Sequence, residues 1–168
     1  MSDQYDRVKQ TAVTALAGIN TAQPFGTVLF EAIARVSVTV CIEAVCLRRN
    51  PVTSAIEVWL IERAQDDTAY PGQMHCPGTV MRPGESVGHM FERLAQTEIV
   101  SRLDKQVFVG FDNNTAEVRG HFLHLIYLVQ FDGLPKRGGW YPVKDLPLNT
   151  VEHHRTTVIP AAVKAFKE

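Results

Sequence analysis

The stretch that decides the fold is CPGTVMRPGES, Cys76–Ser86, which runs directly into the segment Val87–Arg102. Its two prolines and two glycines predict an irregular loop, because proline fixes φ and glycine permits positive φ. Ser86 is a residue type that caps the first turn of a helix, and after Gly88 neither proline nor glycine recurs until Gly110. The sequence therefore predicts a tight loop followed at once by a helix.

One acidic residue breaks the amphipathic pattern of this helix. At about 100° per residue, Phe91 and Leu94 project from one apolar side, and Glu98 falls near the middle of that stripe. A carboxylate buried there must be neutralised, paired or bound to a cation, since an isolated buried charge is strongly unfavourable. The alternative is that the helix end frays and that Glu98 reaches water.

The spacing of charged residues in this segment resembles the Nudix box, a loop–helix motif of pyrophosphate-cleaving enzymes. A Gly-Glu pair ends at Glu85, Arg93 follows eight residues later, and Glu98 follows five after that. The preceding run Tyr70–Gly78 is similar to the family's approach to its box. The resemblance places a Nudix-box loop and helix at residues 76–102.

The resemblance implies specific roles for the box residues. The Gly78 carbonyl and Glu98 would contact a divalent cation, Mg²⁺ or Mn²⁺. Glu85 would fold back to orient Arg93 and the helix. Glu85, Arg93 and Glu98 are therefore the implied catalytic residues.

The box of this chain, Gly78–Val100, is degenerate. Leu94 and Thr97 stand where the family has glutamates, and Thr79 and Val100 stand where it has glycines. One of the three helix carboxylates of the family remains, which predicts weaker metal binding and weak activity. The alternative function is a catalytically impaired Nudix-like module that binds a nucleotide or a protein partner.

Other polar residues are candidates for contacts with substrate. Arg63 ends a predicted strand, and Glu117 precedes the longest one, where it is a candidate general base together with Glu152. His75 lies just before the box, where an imidazole contacts phosphate or acts as a base. The alternative for His75 is a strand-end histidine with a backbone partner.

The remaining histidines make weaker candidates. His121 and His124 fall on opposite faces of one predicted strand, so they are a poor metal-binding pair. His153–His154 are interpreted as a solvated approach to the terminal helix, with anion binding as the alternative.

Periodicity predicts the sheet. Alternation over Val36–Glu43 predicts a strand with one buried face, and Ile56–Ile61 predicts its hairpin partner. Gln106–Phe111 predicts a short strand, Asp112–Asn114 a turn, and His121–Phe131 a strand buried on both faces.

Helices are predicted at both ends of the chain. Asp3–Ile19 has a helical pattern within an N-terminal helical extension, residues 1–24, which we interpret as a cover for a sheet edge. The alternative is a dimerisation arm, which predicts a homodimer. Thr157–Phe166 predicts a terminal helix. The whole pattern predicts one domain, residues 1–168, of the α+β class: a Nudix-like α/β/α sandwich with a central mixed β-sheet.

Composition excludes several function classes. The chain has 168 residues and 45% hydrophobic content, which suits a globular domain. Its net charge of −1 gives no excess of positive charge for binding a nucleic-acid polymer. Its three cysteines form no Cys-x-x-Cys motif and predict reduced thiols. The most apolar stretch, Phe25–Leu47, carries three charges, so no membrane span and no signal peptide are predicted. These features predict a cytoplasmic protein.

Together with the resemblance, these observations predict a Mg²⁺-dependent Nudix-type hydrolase. Its expected substrate is a nucleotide or nucleotide-linked small molecule, cleaved at the pyrophosphate bond of a nucleoside diphosphate by attack of water at phosphorus.

Overall fold

A computed structural model describes residues 2–133 and 135–167. The helices and strands in chain order are α1 (Ser2–Ala17), α2 (Gly26–Ala34), β1 (Val38–Arg49), β2 (Ile56–Glu62), β3 (Met74–His75), β4 (Gly78–Val80), α3 (Val87–Leu94), β5 (Arg102–Glu117), β6 (Gly120–Asp132), β7 (Gly139–Pro142) and α4 (Ile159–Lys167). A wider π turn comes after α3 at Ala95–Ile99, and another precedes α4 at His154–Val158.

The strands form one mixed sheet in the order β3-β2-β1-β6-β5, with β4 paired to β1 and β7 paired to β2. The β1–β6 pair is parallel, and the other pairs are antiparallel. On the edge of β1 away from β6, β4 pairs with Cys41–Glu43 and β2 pairs with Leu47–Arg49. β4 and β2 therefore pair with different parts of the same edge of β1.

Helices cover both faces of the sheet. Met90, Phe91 and Leu94 of α3 pack in one apolar cluster with Ile42 and Ala44 of β1. On the opposite face, residues of β1 and β2 cluster with residues of α4. The predicted α/β/α sandwich with a central mixed sheet is confirmed.

The prediction that β1 buries one face is wrong. From Cys41 to Leu47 every side chain of β1 is buried. Alternation of polar and apolar residues suggested a solvated face, but α3 covers one face and the α4 side covers the other. The polar residues of β1 therefore lie inside the protein.

The N-terminal helix α1 does not cover a sheet edge. Its described side chains, from residue 4 to Ala17, are all exposed, and Tyr5 and Val8 are among them. The next helix, α2, makes the contact with the sheet, where Phe30 packs edge-on against Phe122. Among the described residues, no helix has the length and apolar character needed to cross a bilayer.

The predicted turn at Asp112–Asn114 is also wrong. These residues lie inside the long edge strand β5, which pairs with β6 through three register shifts. An edge strand keeps one side in contact with water, so it accommodates polar side chains that otherwise favour turns. Asn113 uses its side chain to contact the ring of His121, 2.6 Å away.

Candidate functional site

Glu85 and Arg93 hold the box loop against α3. The Arg93 guanidinium donates from Nε to Glu85 Oε1 at 2.9 Å and from Nη2 to Glu85 Oε2 at 2.8 Å. It also donates to the Val80 carbonyl at 2.8 Å and to the Thr79 hydroxyl. The bonds from Arg93 lower the pKa of Glu85, which also accepts from the Arg82 backbone. The pairing expected from the sequence is therefore present, and it fixes the loop at both ends.

The π turn Ala95–Ile99 determines where Glu98 lies. Leu94 and Ile99 are both fully buried, so the wider turn places Ile99 in the stripe position that α-helical spacing assigned to Glu98. Glu98 shifts to the margin of the apolar cluster, where its Oε2 accepts the N–H of Gly78 at 3.2 Å. The expectation that Glu98 lies in mid-stripe is thus corrected.

The helical segment ends earlier than the predicted boundary at Arg102. Helical geometry stops at Ile99, and Val100 adopts the left-handed conformation with φ 51° and ψ 43°. This conformation favours glycine and is strained for a β-branched residue. Val100 stands where the Nudix box has glycine, the residue type that this conformation favours.

Two neighbouring cavities that share lining residues lie beside the box loop. The inner cavity has a volume of about 210 Å³, and the outer cavity has a volume of about 870 Å³. Glu85 and Arg93 line the outer cavity and do not line the inner one. Five of the seven residues predicted for the site line the inner cavity: Arg63, His75, Gly78, Glu98 and Glu117.

Arg63 and Glu117 are already partnered on the wall of the inner cavity. Arg63 donates from Nε and Nη2 to Asp67 Oδ2 at 2.9 and 2.7 Å. Glu117 accepts from the Tyr70 hydroxyl at 2.7 Å and from Arg119 Nε at 3.2 Å. Burial and the bond to Glu117 raise the pKa of Tyr70 to about 12. The wall therefore offers two guanidinium groups held in place by carboxylates.

His75 is buried at the end of β3. Burial lowers the pKa of His75 to about 3, so its imidazole is neutral at physiological pH. Its ring lies edge-on to His154, with centroids 5.9 Å apart. The other candidate base, Glu152, is exposed, pairs with Arg155 and does not line the inner cavity.

Sequence reasoning missed the most buried part of the site, which is Glu43 with His124 and His154. His124 Nδ1 lies 2.9 Å from Glu43 Oε1, and His154 Nε2 lies 3.6 Å from Glu43 Oε2. His154 Nδ1 accepts the N–H of Cys76 at 3.1 Å. The interpretation of His153–His154 as a solvated segment is wrong, because His154 is buried at the start of the π turn and His153 is half-buried.

Glu43 lies directly beside the box glycine. Burial opposes its ionisation, but the facing His154 and the hydrogen bond from His124 outweigh burial and hold the pKa of Glu43 below its ordinary value. A Cβ on Gly78 would lie 2.7 Å from Glu43 Oε2 and 2.9 Å from the Ile42 carbonyl oxygen. Only glycine fits there without displacement.

Two acidic side chains, Glu43 and Glu98, therefore flank Gly78. Burial raises the pKa of Glu98 to about 7, and the nearby Glu43 adds to this effect. Within residues 2–133 and 135–167, neither carboxylate forms an ion pair with lysine or arginine. Glu98 is thus a half-buried oxygen ligand beside Gly78 without a basic partner among those residues, which fits a divalent cation that would favour its ionised form.

Comparison with known proteins finds similarity to solved structures. No protein-family model matches the sequence, and none of the curated protein sequences is significantly similar to it. The Nudix domain of Shewanella oneidensis NrtR, in complex with ADP ribose, matches with a TM-score of 0.62 and 14% identity over 92% of this chain and 97% of that chain.

This chain has the Nudix fold. A Nudix hydrolase from Nitrosomonas europaea matches with a TM-score of 0.60 and 17% identity over 78% of this chain and 90% of that chain. A MutT Nudix hydrolase from Burkholderia pseudomallei matches with a TM-score of 0.59 and 20% identity over 74% of this chain and 95% of that chain. The fold that the resemblance of the box implies is thus confirmed.

The degenerate positions of the Nudix box have structural contacts of their own. Leu94 is fully buried in the apolar cluster under the sheet. Thr97 is exposed and donates its hydroxyl hydrogen to the Arg93 carbonyl at 2.9 Å. The helix thus offers the inner cavity one carboxylate, Glu98, while β1 supplies a second carboxylate, Glu43.

Proposed function

We propose that this chain is a divalent-metal-dependent hydrolase that cleaves a pyrophosphate bond in a nucleoside-diphosphate-linked substrate. The observation that carries the proposal is the position of Glu98. Its carboxylate, at the end of the box helix, bonds to the Gly78 backbone and borders a polar cavity within a Nudix fold.

The Gly78 carbonyl and Glu98 are the groups proposed to hold Mg²⁺ or Mn²⁺. Both are hard oxygen ligands, and Mg²⁺ sites commonly complete their coordination with water and substrate phosphates. The bound cation would neutralise phosphate charge and lower the pKa of the attacking water. The proposed roles of the protein groups are to position the phosphates and to accept the proton of that water.

Residues on the cavity wall have complementary charges for these tasks. Arg63 and Arg119 place guanidinium groups beside the inner cavity, where they would bind phosphate oxygens. His75 is neutral and would donate a hydrogen bond to a phosphate. Glu117 is the proposed proton acceptor, oriented by the Tyr70 hydroxyl.

Glu85 and Arg93 are proposed as positioning residues. They contact the backbone of the box loop and lie outside the inner cavity. Their pairing keeps Gly78 next to Glu98, because β4 begins at Gly78 and ends at Val80, whose carbonyl Arg93 binds.

The outer cavity is the proposed site for the rest of the substrate. It shares Thr79, Val80 and Arg119 with the inner cavity, so a molecule that spans both would place its phosphates in the inner one. Phe25 and Phe30 give the outer cavity aromatic surface suited to a nucleoside. ADP-ribose, present in the Shewanella structure, is therefore the first substrate to test.

The test is product release from ADP-ribose and a panel of nucleoside-diphosphate-linked compounds with Mg²⁺ or Mn²⁺. We expect turnover by the full chain and a loss of more than about a hundredfold in Glu98→Gln, because metal-ligand losses remove several kcal/mol of transition-state stabilisation. Glu92→Gln is the matched control, since Glu92 is an exposed glutamate of the same helix. Equal activity of Glu98→Gln and Glu92→Gln would contradict the proposal.

A second candidate function is a Nudix-fold module that binds a nucleotide or a protein partner without efficient chemistry. Leu94 and Thr97 favour it, because both have structural contacts in place of the metal-binding carboxylates of the family. Calorimetry distinguishes the two functions. Binding of ADP-ribose that is indifferent to Mg²⁺, with no product formed, would support the binding module.

The expected setting is a single domain in the cytoplasm that acts on small molecules. Three buried free cysteines and a net charge of −1 fit a reducing compartment and the absence of nucleic-acid polymer binding. The exposed apolar residues of α1 give surface for the homodimer predicted from the sequence, which size-exclusion chromatography with light scattering would test.

A further inference from the structure

Three side chains of metal-binding types meet on one face of the sheet. Cys41 of β1 lies directly opposite His124 in the parallel β1–β6 pair, and Glu43 comes two residues later on the same face. His124 Nδ1 is 2.9 Å from Glu43 Oε1 and 3.2 Å from Cys41 Sγ. The Sγ-to-Oε1 distance is 3.9 Å. The three ligand atoms thus form a compact triangle.

The triangle has the dimensions of a transition-metal site. Zinc bonds of about 2.0 Å to nitrogen and oxygen and about 2.3 Å to sulfur separate tetrahedral ligand atoms by about 3.3–3.6 Å. The observed separations of 2.9, 3.2 and 3.9 Å bracket that range. Small side-chain adjustments would bring all three atoms onto one ion. A thiolate, an imidazole and a carboxylate together suit zinc-class ions better than Mg²⁺.

The burial of Glu43 independently favours a bound cation beside it. Cys41, Glu43 and His124 are 4%, 6% and 4% exposed. Within the part of the chain that the structure describes, Glu43 Oε2 and His124 Nε2 are buried atoms without a hydrogen-bond partner. The ion-pair contacts of Glu43 among the same residues are to histidines. A buried carboxylate in such surroundings is stabilised by a bound cation.

His154 has the position of a supporting residue. Because its Nδ1 accepts the Cys76 N–H, its own proton lies on Nε2, which faces Glu43 Oε2. It therefore directs an N–H toward Glu43 from 3.6 Å, a distance that a small side-chain shift would shorten to a hydrogen bond, and it has no free lone pair to offer an ion there.

We propose that Cys41, Glu43 and His124 form a binding site for a zinc-class transition-metal ion, with the fourth coordination position open to the inner cavity. The ligands differ from those of the proposed hard-cation site at Gly78 and Glu98, so the two proposals stand or fall separately. Burial holds the pKa of the Cys41 thiol well above its ordinary value, and the ion displaces the thiol proton on binding.

The test uses cobalt(II) as a spectroscopic probe for the metal-depleted full chain. Coordination of a thiolate gives a sulfur-to-cobalt charge-transfer band in the near ultraviolet, which oxygen ligands do not give. We expect this band at one equivalent of cobalt and its loss when Zn²⁺ is added. All three cysteines of the chain are buried, so binding to exposed thiols does not confuse the result.

Variants assign the band to the proposed ligands. Cys41→Ala should abolish it, whereas Cys46→Ala should keep it, because Cys46 is a buried cysteine of the same strand that packs on the α3 side. His154→Asn should weaken Zn²⁺ binding by about 10- to 100-fold, because it removes the N–H that His154 directs toward Glu43 Oε2.

Two results would overturn the proposal. One is wild-type protein that gives no thiolate band, a measurement that needs no variant to fold. The other is a band that survives in Cys41→Ala, folded as judged by circular dichroism. Glu98→Gln separates the two metal proposals, since it should lose hydrolysis and keep the cobalt band.

Discussion

Replacing Glu98 with glutamine should stabilise the metal-free chain above neutral pH and leave its stability nearly unchanged in mild acid. Glutamine preserves the shape of the side chain and the oxygen that accepts the Gly78 N–H. It removes the charge that burial makes unfavourable. The variant therefore isolates the energetic cost of ionising this carboxyl in the folded state.

The magnitude is set by the pKa of Glu98. Burial raises that pKa from 4.5 to about 7, and each pKa unit corresponds to about 1.4 kcal/mol, so full ionisation costs up to about 3 kcal/mol. The side chain is partly exposed, and solvent screening reduces the expected value to about 1–3 kcal/mol. Because the folded chain holds this proton to higher pH than the unfolded chain, wild-type stability falls as pH rises from about 4.5 to about 7. The free energy of unfolding of Glu98→Gln should not fall in this way.

Urea unfolding at about pH 5 and about pH 8 in the presence of a chelator measures the effect. We expect the free energy of unfolding of Glu98→Gln to exceed that of the wild type by less than about 1 kcal/mol at the lower pH and by about 1–3 kcal/mol at the higher pH. Mg²⁺ at a hundredfold excess over its dissociation constant should raise the free energy of unfolding of the wild type by about 2–3 kcal/mol. It should leave the free energy of unfolding of Glu98→Gln unchanged. A variant that is less stable than wild type by the same amount at both pH values would refute the reasoning.

Three further predictions concern the loop, the helix end and the buried histidine. Arg93→Lys should lower the free energy of unfolding by about 2 kcal/mol, because lysine cannot make the paired bonds to Glu85; unchanged urea unfolding would contradict this. Val100→Gly should raise the free energy of unfolding by about 1 kcal/mol by removing left-handed strain, and a lower melting temperature would count against it. Burial lowers the pKa of His154 to about 3, so nitrogen NMR should show a neutral ring with its proton on Nε2 down to about pH 5. A titration midpoint near the ordinary histidine value would contradict that assignment.

The sequence predicted the box because its geometry depends on local spacing. Gly84, Glu85 and Arg93 lie within one loop and one helix, so their separation along the chain determines their meeting in space. The pairing of Glu85 with Arg93 results from such local spacing, and the layered fold was predicted from the local patterns of the helices and strands.

The sequence did not predict the buried half of the site because that half depends on pairing between distant strands. Glu43 and His124 meet only because β1 and β6 lie parallel and in register. Read alone, Glu43 looked like the polar side of an alternating strand. The signal available in the sequence was its setting between Ile42 and Ala44 in the most apolar stretch of the chain.

The two π turns imply that the length of each helical segment matters as much as the identity of its residues. Glu98 lies in one of these turns and His154 in the other, and each faces the inner cavity. An α turn covers the same rise with fewer residues, so a single-residue deletion in either segment would convert it to an α turn and change the direction of the side chains within it. Such a shortened chain would still carry every functional side chain of the site, yet Glu98 or His154 would point elsewhere. An alignment of this chain with one that has an α turn at the same place therefore needs a one-residue gap there. Without that gap, residues that do not correspond in space would be paired.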